Sequence, residues 1–401
     1  MQNLVMQDVV MRDLVNPQQD WAAAWTAAPQ SPSTGFTPNW SQQGFSHQSV
    51  RQIVRVTHAG DEIRVRLSNA YGTAPLRITG ATVARGAGGA AVEPGTVGRL
   101  TFGGARSAEI PAYGRIASDA VRLPLGRGEP VAVTLYFAGT TGPATFHAQG
   151  FTDSYRAEGD RLDAVSGDAF TERTESWYYL AGVDVAGGAP GPGAVVLFGD
   201  SVTDGFGSTP GADRRWSDAL AERVEGPVLN AGIGGNLVLN DSSWYGERGT
   251  ARFARDVLDQ PGVATAVVLQ GLNDIGFSEA HAQGHDRPTF HPAPVVSARE
   301  LIAGHRELIR QARARGVRVV GATLLPLKGS DHWGPHAARV SDEVNDWIRT
   351  SGEYDAYVDF DKALAAKSDP DRLASEYDSG DALHPNDAGY ARMARELARV
   401  L

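Results

Sequence analysis

Residues 195–198, Val-Val-Leu-Phe, make an apolar run without polar alternation that breaks directly into Gly199-Asp200-Ser201. A strand of that kind is buried on both faces, which calls for a parallel sheet covered by helices on each side. A serine just after such a strand stands at the carboxyl edge of the sheet, where open α/β folds bind their ligands. Ser201 is therefore the first candidate nucleophile, with a helix cap or turn former as the structural alternative.

The chain before this stretch follows a different rule. Residues 21–185 carry short alternating runs, among them Ile53 to Val56, Ile63 to Leu67 and Val131 to Phe137, punctuated by Gly60, Gly72 and Gly103-Gly104. Period-two alternation with no long helical stripe predicts an all-β sandwich of jelly-roll type. Residues 186–193, AGGAPGPG, offer little to pack and read as a linker. From residue 194 to 401 apolar strands alternate with helical segments, which predicts a doubly wound α/β sandwich. Helices are expected around 216–224, 251–258, 295–315 and 337–350, and from Pro385 to the end, with strands at 228–230, 266–270, 317–324 and 357–360. Residues 1–20 precede both units as an arm.

Composition removes several functions. The net charge of −10, from 37 basic and 47 acidic residues, comes without a clustered basic face and argues against a nucleic-acid partner or an anionic membrane surface. No apolar run approaches the ~20 residues that span a bilayer, so a soluble protein is expected. The absence of cysteine excludes disulfides and thiolate chemistry. Asp8, Arg12 and Asp13 interrupt the opening segment, which does not read as a secretory leader, so a cytosolic location stays open.

In the C-terminal half, polar turns follow predicted strands at Gly199-Asp200-Ser201, Asn230 to Asn236, Gly271-Leu272-Asn273-Asp274 and Asp381-Ala382-Leu383-His384. Topology brings such turns to one edge. Acyl transfer from a serine needs an imidazole to take its proton, a carboxylate to orient that imidazole, and donors for the developing oxyanion. His384 and Asp381, three apart before Pro385, suit the first two roles, with Asp378 and Asp387 as rival carboxylates. The Ser201 N–H, the Gly235 N–H and the Asn273 amide suit the third, although Gly235 and Asn273 also fit as plain turn residues and Gly234 competes with Gly235. Asp200 and Asp274 are read as braces for their loops.

These four blocks resemble those of the SGNH (GDSL) hydrolase family, in order and at similar intervals. The resemblance implies a flavodoxin-like three-layer domain and ester hydrolysis through an acyl-enzyme on Ser201. It further implies Asp381 and His384 as the remaining triad, Ser201, Gly235 and Asn273 as the oxyanion hole, and no cofactor. Val202 stands where leucine is common, and no Gly-x-Ser-x-Gly surrounds Ser201. The β-rich half, with residues 21–32 and 51–74, is similar to that of two-domain bacterial members often exported as esterases, which implies a secreted or periplasmic enzyme. Some two-domain relatives act on acetylated carbohydrate. The expected substrate is thus a small ester, acetyl above all, or an acylated carbohydrate; lipase, arylesterase and thioesterase activity, or a carbohydrate-binding protein on a hydrolase scaffold, are the alternatives.

Trp244, Tyr245, His332 and Trp333 are candidates to line the substrate pocket, or to pack. His281, His285 and His291 are weighed as a zinc site, but Gly284, Pro288 and Pro292 favour a loop bordering the cleft. Trp21, Trp25, Trp40 and Tyr71 suit either a sugar-stacking face or a sandwich core.

Overall fold

A computed structural model of the chain describes residues 20–401 apart from 36, 190 and 286. The arm expected at the start lies outside the described residues except for Asp20.

The N-terminal half is built on two antiparallel sheets. In the first, Ala22–Thr26 pairs with Leu180–Ala186, which pairs with Gly60–Ser68, and Arg115–Ala117 and Val121–Leu125 both join Gly60–Ser68. In the second the order is Glu172–Thr174, Ser154–Glu158, Gln48–Arg55, Pro130–Phe137, Gly80–Arg85 and Gly98–Arg99. Alternation in sequence becomes alternation across the sheet. Ile63, Val65 and Leu67 turn inward onto Val50, Val54, Val131 and Val133 of the facing sheet. Between them Arg64 and Arg66 turn outward, and both donate to Asp184 at 2.9 Å.

Trp25 and Trp40 belong to this core rather than to a sugar-stacking face. Trp25 meets Trp177 edge-on at 4.8 Å, and Trp40 stacks on Tyr178 at 5.5 Å. Trp21 lies under the Arg64 guanidinium. Tyr71 is half-buried and donates to Glu247 of the other half at 2.9 Å.

The C-terminal half is a five-stranded parallel sheet. Its order is Val228–Gly232, Ala194–Gly199, Val263–Leu269, Arg318–Ala322 and Ala356–Val358, so the first strand in sequence is second in space. That 2-1-3-4-5 order is flavodoxin-like and places a topological switch beside Ala194–Gly199. Trp216–Ala221, Phe360–Leu364 and Asp387–Leu397 pack together as one group of helices, and Gly249–Phe253, Leu272–Ala282, Ala298–Ala314 and Pro335–Thr350 as another. Ala298–Ala314 starts at Ser297, whose hydroxyl accepts from Glu300 N–H while the Glu300 carboxylate returns to Ser297 N–H, a capping box.

Leu272–Ala282 answers to no helix expected from the sequence. All of its residues from Leu272 to Ala280 are buried, so it has no polar face and shows no amphipathic period. Among the described residues no helix is long and apolar enough to cross a membrane.

The two halves share polar and apolar contacts. Thr57 Oγ1 donates to Val228 O at 2.9 Å and accepts from Val228 N–H at 3.1 Å. Ala23 N–H donates to Pro261 O, and its methyl packs in the core of the α/β half.

Candidate active site

The rim of the parallel sheet is assembled by register. Gly199 is level with Gly232 on one side and Leu269 on the other, so the turns that follow the three strands leave side by side. Ser201 opens the one-turn helix Ser201–Asp204. The cap is Asp200, not Ser201: Asp200 Oδ1 accepts from Val202 N–H at 3.1 Å, which leaves the serine hydroxyl free for another partner.

That partner is His384, whose Nε2 is 2.8 Å from Ser201 Oγ. Its Nδ1 is 2.6 Å from Asp381 Oδ2. Because the carboxylate only accepts, Nδ1 carries the proton and Nε2 presents its lone pair to the hydroxyl. Asp381 Oδ1 meanwhile accepts from the N–H groups of Leu383 and His384 at 3.0 and 2.8 Å, so the acid and the ring are held by the same short loop. Burial pushes the Asp381 carboxyl up, but the hydrogen bonds and charge of His384 outweigh it and hold the acid well below the carboxylate range. The rival carboxylates are engaged elsewhere. Asp378 accepts from Gly380 and Ala382 N–H, and Asp387 holds Thr209 through its N–H and hydroxyl.

Gly235 and Asn273 sit on the two neighbouring turns. Gly234 N–H donates to Asp204 at 2.9 Å and is spent. Gly235 has φ +72°, and a Cβ there would come 2.5 Å from the Tyr245 ring, so the backbone and the ring can touch only at glycine. Asn273 lies in the first turn of Leu272–Ala282, not in a free loop. Its Nδ2 donates to Asn236 O at 3.2 Å, its Oδ1 stands 3.4 Å from His332 Nε2, and the second amide hydrogen is left over. Asp274 accepts from Val238 and Leu239 N–H at 2.8 and 3.1 Å. Burial pushes Asp200 up to about 6 and Asp274 up to about 7, against the pull of those N–H groups.

Tyr245 and His332 are buried around these donors, in contact with Phe277 and Phe290, and Trp244 packs on the same cluster. Trp333 packs instead on the main core, with Lys328 above its ring. Phe206, half-exposed, lies against the His384 ring at 4.5 Å and was not anticipated. His281 ends a helix instead of lying in a loop, and its ring meets that of His291 at 5.7 Å. Among the described residues no three His, Cys, Asp or Glu side chains are grouped to hold a metal. A cavity of about 230 Å³ lined by Asp61, Arg85 and Gly187 includes none of the residues of the four turns; chemistry, not concavity, locates this site.

Residues 197–392 match the GDSL-like lipase/acylhydrolase family. This part of the chain is a GDSL-like acylhydrolase domain. The acylhydrolase is accordingly a carboxylic ester hydrolase, and its four turns lie within the matched span or at its edge. No curated protein sequence matches it. Among solved structures, a G-D-S-L family protein from Desulfitobacterium hafniense is 21% identical over 52% of this chain and 99% of its own, with a TM-score of 0.38. A GDSL-like lipase from Bacteroides thetaiotaomicron is 18% identical over 51% and 86%, with a TM-score of 0.37. An acetylxylan esterase from Geobacillus stearothermophilus, in a catalytic mutant, is 22% identical over 52% and 94%, with a TM-score of 0.39.

Beneath the turns lies a residue that nothing in the sequence marked out. Arg252, fully buried, donates to Gly199 O at 2.7 Å, to Ala231 O at 2.8 Å and to Asn236 Oδ1 at 2.9 Å. Gln270 donates to the same Asn236 oxygen at 2.6 Å. One guanidinium thus ties the ends of two strands and, through Asn236, the third. In sequence it is an arginine in a helical segment, indistinguishable from a surface one.

Proposed function

We propose that this acylhydrolase cleaves short acyl esters, acetyl esters foremost, through an acyl-enzyme on Ser201. The observation that carries the reading is the unbroken Ser201, His384, Asp381 relay at 2.8 and 2.6 Å. In the first step Ser201 Oγ attacks the ester carbonyl carbon while its proton passes to His384 Nε2. The imidazolium formed is stabilised by Asp381, which stays ionised. The carbonyl oxygen, now negative, is met by the N–H of Ser201, the N–H of Gly235 and the amide of Asn273, each worth roughly 3–4 kcal/mol in a transition state. The carbon–oxygen bond to the leaving alcohol then breaks, and that oxygen takes the proton from Nε2. Water repeats the sequence on the acyl-serine and frees the acid.

The short acyl group is supported by what surrounds the donors. Tyr245 sits on Gly235, and His332, Phe277 and Phe290 close off the side of Asn273, leaving an aromatic wall where the substituent of the carbonyl would lie. Phe206 against the His384 ring and Asp381 behind it are both exposed, which leaves room for a bulky alcohol such as a sugar.

The test is hydrolysis of p-nitrophenyl esters from acetate to laurate, beside acetylated xylan and acetylated monosaccharides. Acetate is expected to be the best aryl ester. Ser201→Ala is expected to lower its turnover by about 10⁴-fold or more while the melting temperature stays near that of the native protein. Turnover by that variant at a comparable rate would overturn the mechanism, and a rate rising with chain length would overturn the short acyl group.

A further inference from the structure

We propose that His147, from the β-sandwich half, is a positioning residue for the esterase site, so that this half completes the catalytic unit. The inference rests on the reading of Ser201 as nucleophile given above.

His147 Nε2 is 2.9 Å from Asp204 Oδ1, and the two side chains are only 4% and 3% exposed. Asp204 is the last residue of the one-turn helix that Ser201 opens. Its other oxygen, Oδ2, accepts from Gly234 N–H at 2.9 Å. A single carboxylate therefore spans the helix of the nucleophile and the turn that presents Gly235. The close approach is built in: Gly232 lies where a Cβ would strike the backbone of Asp204.

The seat of His147 belongs wholly to the β half. Its Nδ1 is 2.9 Å from Ala28 O, its ring stacks on Trp177 at 5.3 Å and 28°, and Phe146-His147 pairs with Trp177-Tyr178. Gln30 fixes the same segment, exchanging backbone bonds with Phe146 and accepting from Ala148 N–H. A carbonyl only accepts, as does an ionised carboxylate, so both ring nitrogens donate and the ring is an imidazolium facing Asp204. Burial opposes that charge, yet Asp204 prevails and the ring holds its proton beyond the ordinary histidine range.

Removing the ring would leave Asp204 a buried carboxylate with one N–H donor, a state that is strongly unfavourable. The carboxylate would turn or draw in water, and the Ser201 helix and the Gly235 turn would shift relative to each other. Misplacement of reacting groups by a fraction of an ångström to an ångström costs up to about a hundredfold in rate.

The experiment uses the full chain with His147→Leu, His147→Gln, Asp204→Asn and the double variant His147→Leu/Asp204→Asn, assayed on p-nitrophenyl acetate well below each melting temperature. A fall in kcat of about tenfold or more is expected for His147→Leu, with KM within about twofold. His147→Gln, whose amide N–H can still reach Asp204, is expected to recover most of kcat. The double variant is expected to be no worse than the poorer single one, as for residues acting as a unit. Native kcat in folded His147→Leu, or a glutamine variant no better than the leucine one, would overturn the proposal. Should His147→Leu not fold, Asp204→Ala, assayed in the same way, decides: it removes both acceptor oxygens, so an unchanged kcat would overturn the proposal. A fluorophosphonate probe separates the two readings. If the native protein is not labelled at Ser201, the proposed function fails whatever the His147 variants do; if it is labelled while they keep native kcat, only the positioning role fails.

Discussion

Gly235 lacks a side chain for a reason that can be measured. Alanine there would combine an unfavourable φ of +72° with a contact of 2.5 Å to Tyr245, and the turn would have to move away from the ring. Gly235→Ala is expected to lower kcat on p-nitrophenyl acetate by about 10- to 100-fold through loss of one oxyanion donor, with labelling of Ser201 slowed but not abolished. An unchanged kcat would remove Gly235 from the oxyanion hole. At this scale much was legible in the sequence, because acyl-transfer chemistry dictates residue types: a serine after a buried strand, a histidine three beyond an aspartate, glycine and asparagine on intervening turns. Asp200 and Asp274 also brace backbone N–H groups as read. What stayed hidden depends on three-dimensional neighbours. Nothing local distinguishes Phe206 as the ring beside His384, or Gly234 as the glycine whose N–H is already taken.

The helix Ala298–Ala314 shows how an element can support the site from behind. Its His305, fully buried, places Nε2 3.2 Å from Gln270 O and Nδ1 2.6 Å from the Tyr354 hydroxyl. Gln270 is the residue before the Gly271 block, so the helix steadies the end of the central strand. Burial lowers the His305 imidazole to about 4. Since the folded value lies below the unfolded one, near 6.5, this group contributes stability above pH ~6.5 that is lost as the pH falls through about 4, to the extent of about 3 kcal/mol. His305→Gln is therefore expected to be less stable than the native chain at pH 7.5, by denaturant unfolding, with the difference narrowing by pH 4. A gap that stays constant over that range would mean that His305 does not titrate in this way. Elements were readable where they had a face. Ala298–Ala314 and Pro335–Thr350 show amphipathic periods and lie within three residues of expectation. Leu272–Ala282, buried nearly all round, had no period to find, and the Asn273 block was read as a turn where it opens a helix.

For the whole molecule, alternating strands followed by buried strands and helices indicated a sandwich followed by a parallel sheet, and both are present. How tightly the two are joined was not legible, since period and composition say nothing about which loops meet. The junction combines the buried His147–Asp204 pair, Thr57 bonded both ways to Val228, Arg66 donating to Gln260, and the Tyr71, Glu247, Arg255 cluster. Neither half can open without stripping partners from buried groups of the other. Calorimetry is accordingly expected to give one transition in which calorimetric and van't Hoff enthalpies agree; two separated transitions would show that the halves unfold independently.

The placement of Ala22–Thr26 bears on how the chain is made. On the ribosome this strand emerges well before its sheet neighbour Leu180–Ala186 and the Pro261 carbonyl that takes the Ala23 N–H. Until then its edge is bare, and an unpaired edge invites foreign strands. Nascent chains, more than finished molecules, are where this fold is vulnerable to mispairing, and a chaperone that shelters this strand would act at that stage.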